Sequence, residues 1–151
     1  MAGTYTDGTG GQDDSVCTAC TLGTSTDGQA GATGCVNCGA GTYSSNEGLS
    51  SCTVCPAGTF LADDGISVDA HDSEDDCALC VAGSFLTDEA ISADAHDSDT
   101  DCQVCPAGAY SSSGAATCTV CPAGSFLTDG GTSTDEHNSV DDCEVSPTRL
   151  A

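Results

Sequence analysis

Large apolar side chains stand singly or in Phe-Leu pairs along this chain, with no sustained helical period. Each small apolar group opens with Gly, then Thr, Ser or Ala, then an aromatic ring, as in "AGTY" (40–43) and "AGSFL" (82–86). All six aromatic residues take that one place: Tyr5, Tyr43, Phe60, Phe85, Tyr110 and Phe126. A polar stretch rich in Gly, Ser, Thr and Asp follows, and then a short Val-bearing run against a cysteine ("TVC", "QVC", "SVC"). Short runs bounded by turn residues read as strands. The expectation is one small, irregular β-hairpin per unit, with little helix. One ring per unit would pack on a neighbouring disulfide in place of a core; the competing reading is a ladder of exposed rings that stack on sugars.

The same unit recurs through the chain. Cys-x-x-Cys occurs at Cys17/Cys20, Cys35/Cys38, Cys52/Cys55, Cys77/Cys80, Cys102/Cys105 and Cys118/Cys121, and a half-copy starts at Cys143. Counted from first cysteine to first cysteine, 1–16 is a partial repeat and 17–51 holds two short repeats. Residues 52–101 hold two long repeats with acidic loops, 102–117 a short one and 118–142 a third long one; 143–151 is a truncated repeat and tail. Units of this size bury a core only by stacking. The architecture expected is therefore an elongated, rod-like solenoid of small disulfide-rich modules, each touching only its neighbours.

Composition explains why stacking alone does not suffice. Leu, Ile, Val and Phe number 21 of 151 residues, Trp and Lys are absent, Arg149 is the one basic residue, and the formal charge is −23. Such a chain would ordinarily be disordered. The 13 cysteines are the counterweight, since each disulfide closing a loop of this size contributes roughly 3 kcal/mol. Disulfides need an oxidising compartment, which places the protein outside the cell or on its surface. The charge excludes nucleic acid as a partner, and no apolar run is long enough for membrane insertion. Residues 1–16 lack the basic start and apolar run of a secretory signal, so a secreted chain has lost its signal or belongs to a longer precursor.

The motif Cys-x-x-Cys-Pro-Ala-Gly-[Thr/Ser/Ala]-[Phe/Tyr], clearest in "CPAGAYSSSGAATCTVCPAGSF" (105–126), resembles the ephrin-receptor-like cysteine-rich repeat. It is also similar to the first module of tumour-necrosis-factor-receptor cysteine-rich domains. The resemblance implies secreted or ectodomain modules, an elongated shape, disulfides and no catalytic activity. The long acidic loops exceed the usual loop length of such repeats.

Three uses of the cysteines compete. The first pairs the second cysteine of each motif with the first of the next: Cys20–Cys35, Cys38–Cys52, Cys55–Cys77, Cys80–Cys102, Cys105–Cys118 and Cys121–Cys143. It leaves Cys17 unpaired or bonded to another chain. Ser146 stands where a further second cysteine would lack a partner, which favours this scheme. The second pairs first with third and second with fourth cysteines across two repeats, and orphans Cys143. The third is zinc, because Cys17, Cys20, Cys35 and Cys38 approach zinc-ribbon spacing. Redox catalysis needs a helix terminus or basic neighbour to activate a thiol, and neither is evident.

The long repeats read "FLADDGISVDAHDSEDDC" (60–77), "FLTDEAISADAHDSDTDC" (85–102) and "FLTDGGTSTDEHNSVDDC" (126–143), and hold 18 of the 24 acidic residues. They are either solvated loops or Ca²⁺ sites, since calcium takes six to eight oxygens. The candidate ligands are Asp63, Asp69, Asp72 and Asp76; Asp88, Asp94, Asp97 and Asp101; and Asp129, Asp135, Asn138 and Asp142. EF-hand spacing is not met. The loop histidines suit a transition metal, or a hydrogen bond to a carbonyl or neighbouring Asp. Asp, His and Ser adjacent on one short loop do not make a catalytic triad, so no enzyme is expected.

The function expected is structural: an extracellular repeat rod that self-associates head to tail into a filament, coat or flagellar-hair-type fibre. Ca²⁺ would be its only cofactor. The Ser-rich short loops suit O-linked glycans, and no N-glycosylation sequon is present. The alternative is a binding module, a piece of a receptor or adhesin ectodomain that recognises protein or glycan. Peptide mapping without reduction separates the cysteine schemes: the first predicts a Cys121–Cys143 pair and an unpaired Cys17, and the second predicts a lone Cys143.

Overall fold

The computed structural model describes residues 3–6 and 17–146. Most of the partial repeat expected over 1–16, and the tail beyond Ser146, lie outside the described residues. Seven two-residue antiparallel hairpins follow one another: β1 (Thr4–Tyr5) with β2 (Thr18–Ala19), β3 (Thr24–Ser25) with β4 (Val36–Asn37), and β5 (Thr42–Tyr43) with β6 (Thr53–Val54). Then come β7 (Thr59–Phe60) with β8 (Ala78–Leu79), β9 (Ser84–Phe85) with β10 (Gln103–Val104), β11 (Ala109–Tyr110) with β12 (Thr119–Val120), and β13 (Ser125–Phe126) with β14 (Glu144–Val145). The first strand of each hairpin carries the aromatic position, and the second lies between or just after motif cysteines. The only helical elements among the described residues are six three-residue 3₁₀ turns, two in each long loop.

The hairpins set the phase of the module. Each strand inside a Cys-x-x-Cys pairs backwards, so a module runs from a second cysteine to the strand after the next first cysteine. Seven modules result: 3–19, 20–37, 38–54, 55–79, 80–104, 105–120 and 121–145. Six disulfides close modules two to seven: Cys20–Cys35, Cys38–Cys52, Cys55–Cys77, Cys80–Cys102, Cys105–Cys118 and Cys121–Cys143. Cys17 is a free, half-buried thiol. Ser146 keeps the backbone role of a second cysteine: its N–H donates to Gly124 O at 2.9 Å, as Cys55 N–H does to Gly41 O.

The Pro-Ala-Gly signature makes one tight turn. Thr59 N–H donates to Pro56 O at 3.1 Å, with Gly58 third in the turn at φ +83°. A positive φ there is the mark of a type II turn and selects glycine. The residue after the glycine adds a second bond: the Thr42, Thr59, Ser84 and Ser125 hydroxyls each donate to the turn's first carbonyl at 2.7 Å. That is the physical reason for Thr or Ser at this position. Ala109 keeps only the backbone bond.

Modules are joined by backbone rungs. The turn glycine donates to the next module: Gly23 to Ser44 O, Gly41 to Leu61 O, Gly58 to Leu86 O, Gly83 to Ser111 O and Gly108 to Leu127 O, at 2.8–3.1 Å. A second rung runs from Ser44 to His71 O, Leu61 to His96 O, Leu86 to Ala115 O and Ser111 to His137 O. Contacts between neighbours only, as the sequence suggested, is a view the structure corrects. Asn37 Nδ2 donates to Gly65 O at 2.8 Å, two modules on. A Cβ on Gly41 would collide with the Ala93 carbonyl, and one on Gly83 with that of Thr134, again two modules on.

The core is small and sits at module junctions. Tyr43 packs with the Cys55–Cys77 disulfide and Leu61 of the next module. In the long modules, however, the leucine after the aromatic is the more deeply buried residue. Leu61, Leu86 and Leu127 are buried, whereas Phe60 and Phe85 are half-buried and Phe126 is exposed. The aromatic is therefore the covering residue in these modules and the leucine is the anchor.

One position takes a positive φ in all three long loops. Gly65, Ala90 and Gly131 are equivalent in the three long loops, and φ is +83°, +60° and +81°. An L-residue there costs roughly 1 kcal/mol. Ala90→Gly should stabilise the fifth module by about that much. Gly65→Ala should destabilise its own by more, because its Cβ would lie 2.7 Å from Cys38 O. Native-state hydrogen exchange at Leu61 and Ser44, whose amides bond to these loops, reads both effects.

Candidate functional site

The three long loops repeat one arrangement of side chains. It starts from an Asp that folds the loop over itself. Asp63 Oδ1 accepts from the Gly65, Ile66 and Ser67 amides at 3.0, 3.1 and 3.5 Å. Asp88 Oδ1 accepts from Ile91 and Ser92 at 2.7 and 3.5 Å. Asp129 accepts from the Gly131, Thr132 and Ser133 amides at 3.0–3.3 Å and from the Thr132 hydroxyl at 2.7 Å. Short side chains that bond to backbone a few residues on are the usual device for stabilising turns.

The same carboxylates hold the buried histidines. His71, His96 and His137 are fully buried. Their Nε2 atoms lie 2.9, 3.2 and 2.9 Å from Asp63, Asp88 and Asp129. Each Nδ1 lies 2.7 Å from a strand carbonyl of the preceding module: Thr42, Thr59 and Ala109 respectively. Both ring nitrogens thus face acceptors, and both bonds are filled only when each nitrogen carries a proton. The backbone carbonyl of each His accepts a rung from that same preceding module. A single histidine therefore ties its loop to the module before it twice, through its ring and through its backbone carbonyl.

The end of each loop is organised by a second carboxylate. The Ser73, Ser98 and Ser139 amides donate to Asp76, Asp101 and Asp142 at 2.9, 3.0 and 2.9 Å. In return the serine hydroxyls accept from the Asp75, Thr100 and Asp141 amides. These are capping boxes with Asp in the usual Glu place.

The twelve calcium candidates are therefore spread over different jobs. Asp63, Asp88 and Asp129 hold histidines, and Asp76, Asp101 and Asp142 cap 3₁₀ turns. Asp69, Asp94 and Asp135 lie exposed on the first turn of each loop; Asp72 and Asp97 are half-buried, and Asn138 donates to Asp135 O at 3.0 Å. Among the described residues no three His, Cys, Asp or Glu side chains converge as a metal shell would. The spacing showed the Asp–His pattern, but not that the histidine reaches across to another module. Only the third dimension brings Thr42 beside His71.

Electrostatics follow the geometry. The His71 hydrogen bond, ahead of backbone amides, holds the Asp63 carboxyl below its ordinary value of 3.8. For Asp88 the Ile91 amide leads, followed by His96. For Asp129 the Thr132 hydroxyl and amide lead, and the shift is the largest of the three. Burial first, and then the Glu74 charge, pushes the Tyr43 hydroxyl up; it donates to Glu74 at 3.3 Å.

The class of protein is thus an array of disulfide-closed hairpin modules with inter-module clamps and no gathered catalytic groups among the described residues. Residues 28–77 match the family described as tyrosine-protein kinase ephrin type A/B receptor-like. With its disulfides this segment fits an ephrin-receptor-like cysteine-rich repeat. It spans the loop of the second module, the whole third module and the fourth as far as Cys77, and the later modules repeat its pattern. No curated protein matches the chain. No helix among the described residues is long and apolar enough to cross a membrane.

The depressed carboxyls fix a pH dependence. A group whose folded pKa is lowered contributes stability that is present above its unfolded pKa and lost as pH falls through the folded value. Stability contributed by Asp63, Asp88 and Asp129 should therefore hold from neutrality down to about pH 4 and fall below it. Replacing all three by Asn should lower neutral-pH stability and flatten that acid limb in denaturant titrations. An unchanged acid limb in the triple variant would show that other carboxylates govern it.

Proposed function

We propose that this chain is an extracellular, receptor-type binding module whose stacked repeats present a surface to a protein partner. The observation that carries the reading is the ephrin-receptor-like match over 28–77. Six disulfides suit an oxidising, extracellular setting.

The surface supplies further support. Ile66 and Ile91 occupy the same place in two long loops and are 83% and 82% exposed. Leu79 and Val81 also stand in solvent, and with Phe60 they line a hollow that Thr134 of the seventh module borders. These apolar side chains sit on a chain of net charge −23. A partner with a basic face carrying an apolar side chain complements both features, and opposite charge speeds its encounter.

The test is a binding survey of the full chain against purified extracellular domains, with a glycan array alongside. The expected result is saturable binding to a basic domain, weakened by added salt. Leu79→Ser with Val81→Ser should lower it about tenfold, or roughly 1.4 kcal/mol, while the disulfide map stays unchanged. Binding to glycans alone, indifferent to salt and to these substitutions, would overturn the protein-partner reading. No saturable binding to either class would overturn the binding-module reading itself.

A further inference from the structure

At three places in the array an aromatic residue precedes a long module, and one pair of positions differs among them. At the first, Tyr43 is buried and its hydroxyl donates to Glu74 Oε2 at 3.3 Å. Glu74 opens the second 3₁₀ turn of its loop, as Asp99 and Val140 do in the other two long modules. The aromatic residues in Tyr43's place there are Phe60 and Tyr110. The last of the three pairs thus has a hydroxyl and no carboxylate. The middle pair, Phe60 and Asp99, has a carboxylate and no hydroxyl, and Asp99 is one methylene shorter than Glu74.

A hollow lies at that middle place. Phe60, Leu79, Val81, Ser84 and Asp99 line it, and Thr134 borders it. Leu79 and Val81 are 57% and 61% exposed. Val81 follows a second cysteine, where Pro56, Pro106 and Pro122 stand in other modules, so this wall also departs from the repeat. The Asp99 carboxylate accepts from the Ser98 hydroxyl at 3.4 Å, a long bond. The ion pairs among the described residues use Asp63, Asp88 and Asp129 instead. The Asp99 carbonyl takes the Cys102 amide at 3.2 Å, which fixes the turn that carries the carboxylate.

We propose that this hollow receives one lysine or arginine side chain of a protein partner, its stem on Leu79, Val81 and Phe60 and its charged head at Asp99. The proposal rests on the binding-module reading and narrows it: the apolar atoms and the positive charge belong to the same side chain. Long basic side chains bury their stems along apolar surface and keep the head in polar company. An aromatic ring beside the head adds a cation–π attraction. The head gives Asp99 the donor that Tyr43 gives Glu74, and no lysine or arginine among the described residues can supply it. The net charge of −23 draws such a group towards the surface.

The test titrates the full chain, methyl-labelled at Ile, Leu and Val, with a short Gly/Ser peptide carrying one arginine. A twin peptide carries citrulline, which keeps the shape of arginine and lacks its charge. The expected result is saturable shifts at the Leu79 and Val81 methyls, with the citrulline peptide about tenfold weaker for want of a charge-assisted hydrogen bond. Asp99→Asn should weaken the arginine peptide by a similar factor. Phe60→Tyr with Asp99→Glu rebuilds the Tyr43–Glu74 pair without altering net charge, and should weaken it as well; an unchanged disulfide map shows that the variants fold. Equal binding of the citrulline peptide, shifts at Ile66 and Ile91 in place of the hollow, or no saturation would each overturn the proposal. A basic domain from the binding survey that binds the Phe60→Tyr, Asp99→Glu chain undiminished would overturn the hollow as its site and leave the binding-module reading standing.

Discussion

One backbone conformation carries most of this structure: glycine at positive φ, third in the turn that follows each second cysteine. It closes the turn that starts each hairpin and aims an amide at the next module. It also leaves room for the module after that. A β-carbon at Gly41, Gly58 or Gly83 would strain the backbone and strike a carbonyl two modules away at the same stroke. With so few large apolar side chains, order depends on such directed contacts and on disulfides that restrict the unfolded chain, rather than on a deep core.

The acidic loops fit the same economy of means. A long loop of Asp, Ser and Gly has little reason to hold one shape. Each is pinned at its start by an Asp that gathers backbone amides and at its end by a Ser–Asp capping box. Its middle is pinned by a buried histidine that reaches the preceding strand. The loops differ in composition and all three clamps are the same, so the pattern of Asp, His and Ser is structural before it is anything else. What remains exposed, Asp69, Asp94, Asp135 and the two isoleucines Ile66 and Ile91, is the part free to meet a partner.

Repetition also gives the array its direction. The rungs run one way, from amides of one module to carbonyls of the next. The loop tips at Ile66 and Ile91 and the Leu79–Val81 hollow lie on modules four and five, with Thr134 of the seventh at the hollow's edge.

The sequence alone determined the hairpin, the repeat and its two lengths. Each is written in local chemistry: a Pro-Ala-Gly turn, strands too short to need a pattern, and cysteines at fixed spacing. The serine at position 146 already favoured one scheme for the cysteines over its rivals, because it stands where the motif's second cysteine would be and leaves Cys143 to pair backwards. Tertiary structure decided what spacing cannot express. It put Leu61, Leu86 and Leu127 inside rather than the adjoining Phe rings, because burial depends on which side of a two-residue strand meets the next module. It set Thr42 against His71 across 29 residues and so made the loop histidine a clamp between modules. It also brought modules two apart into contact, since the angle at which one hairpin stacks on another is fixed by packing and is spelled out nowhere in a single repeat.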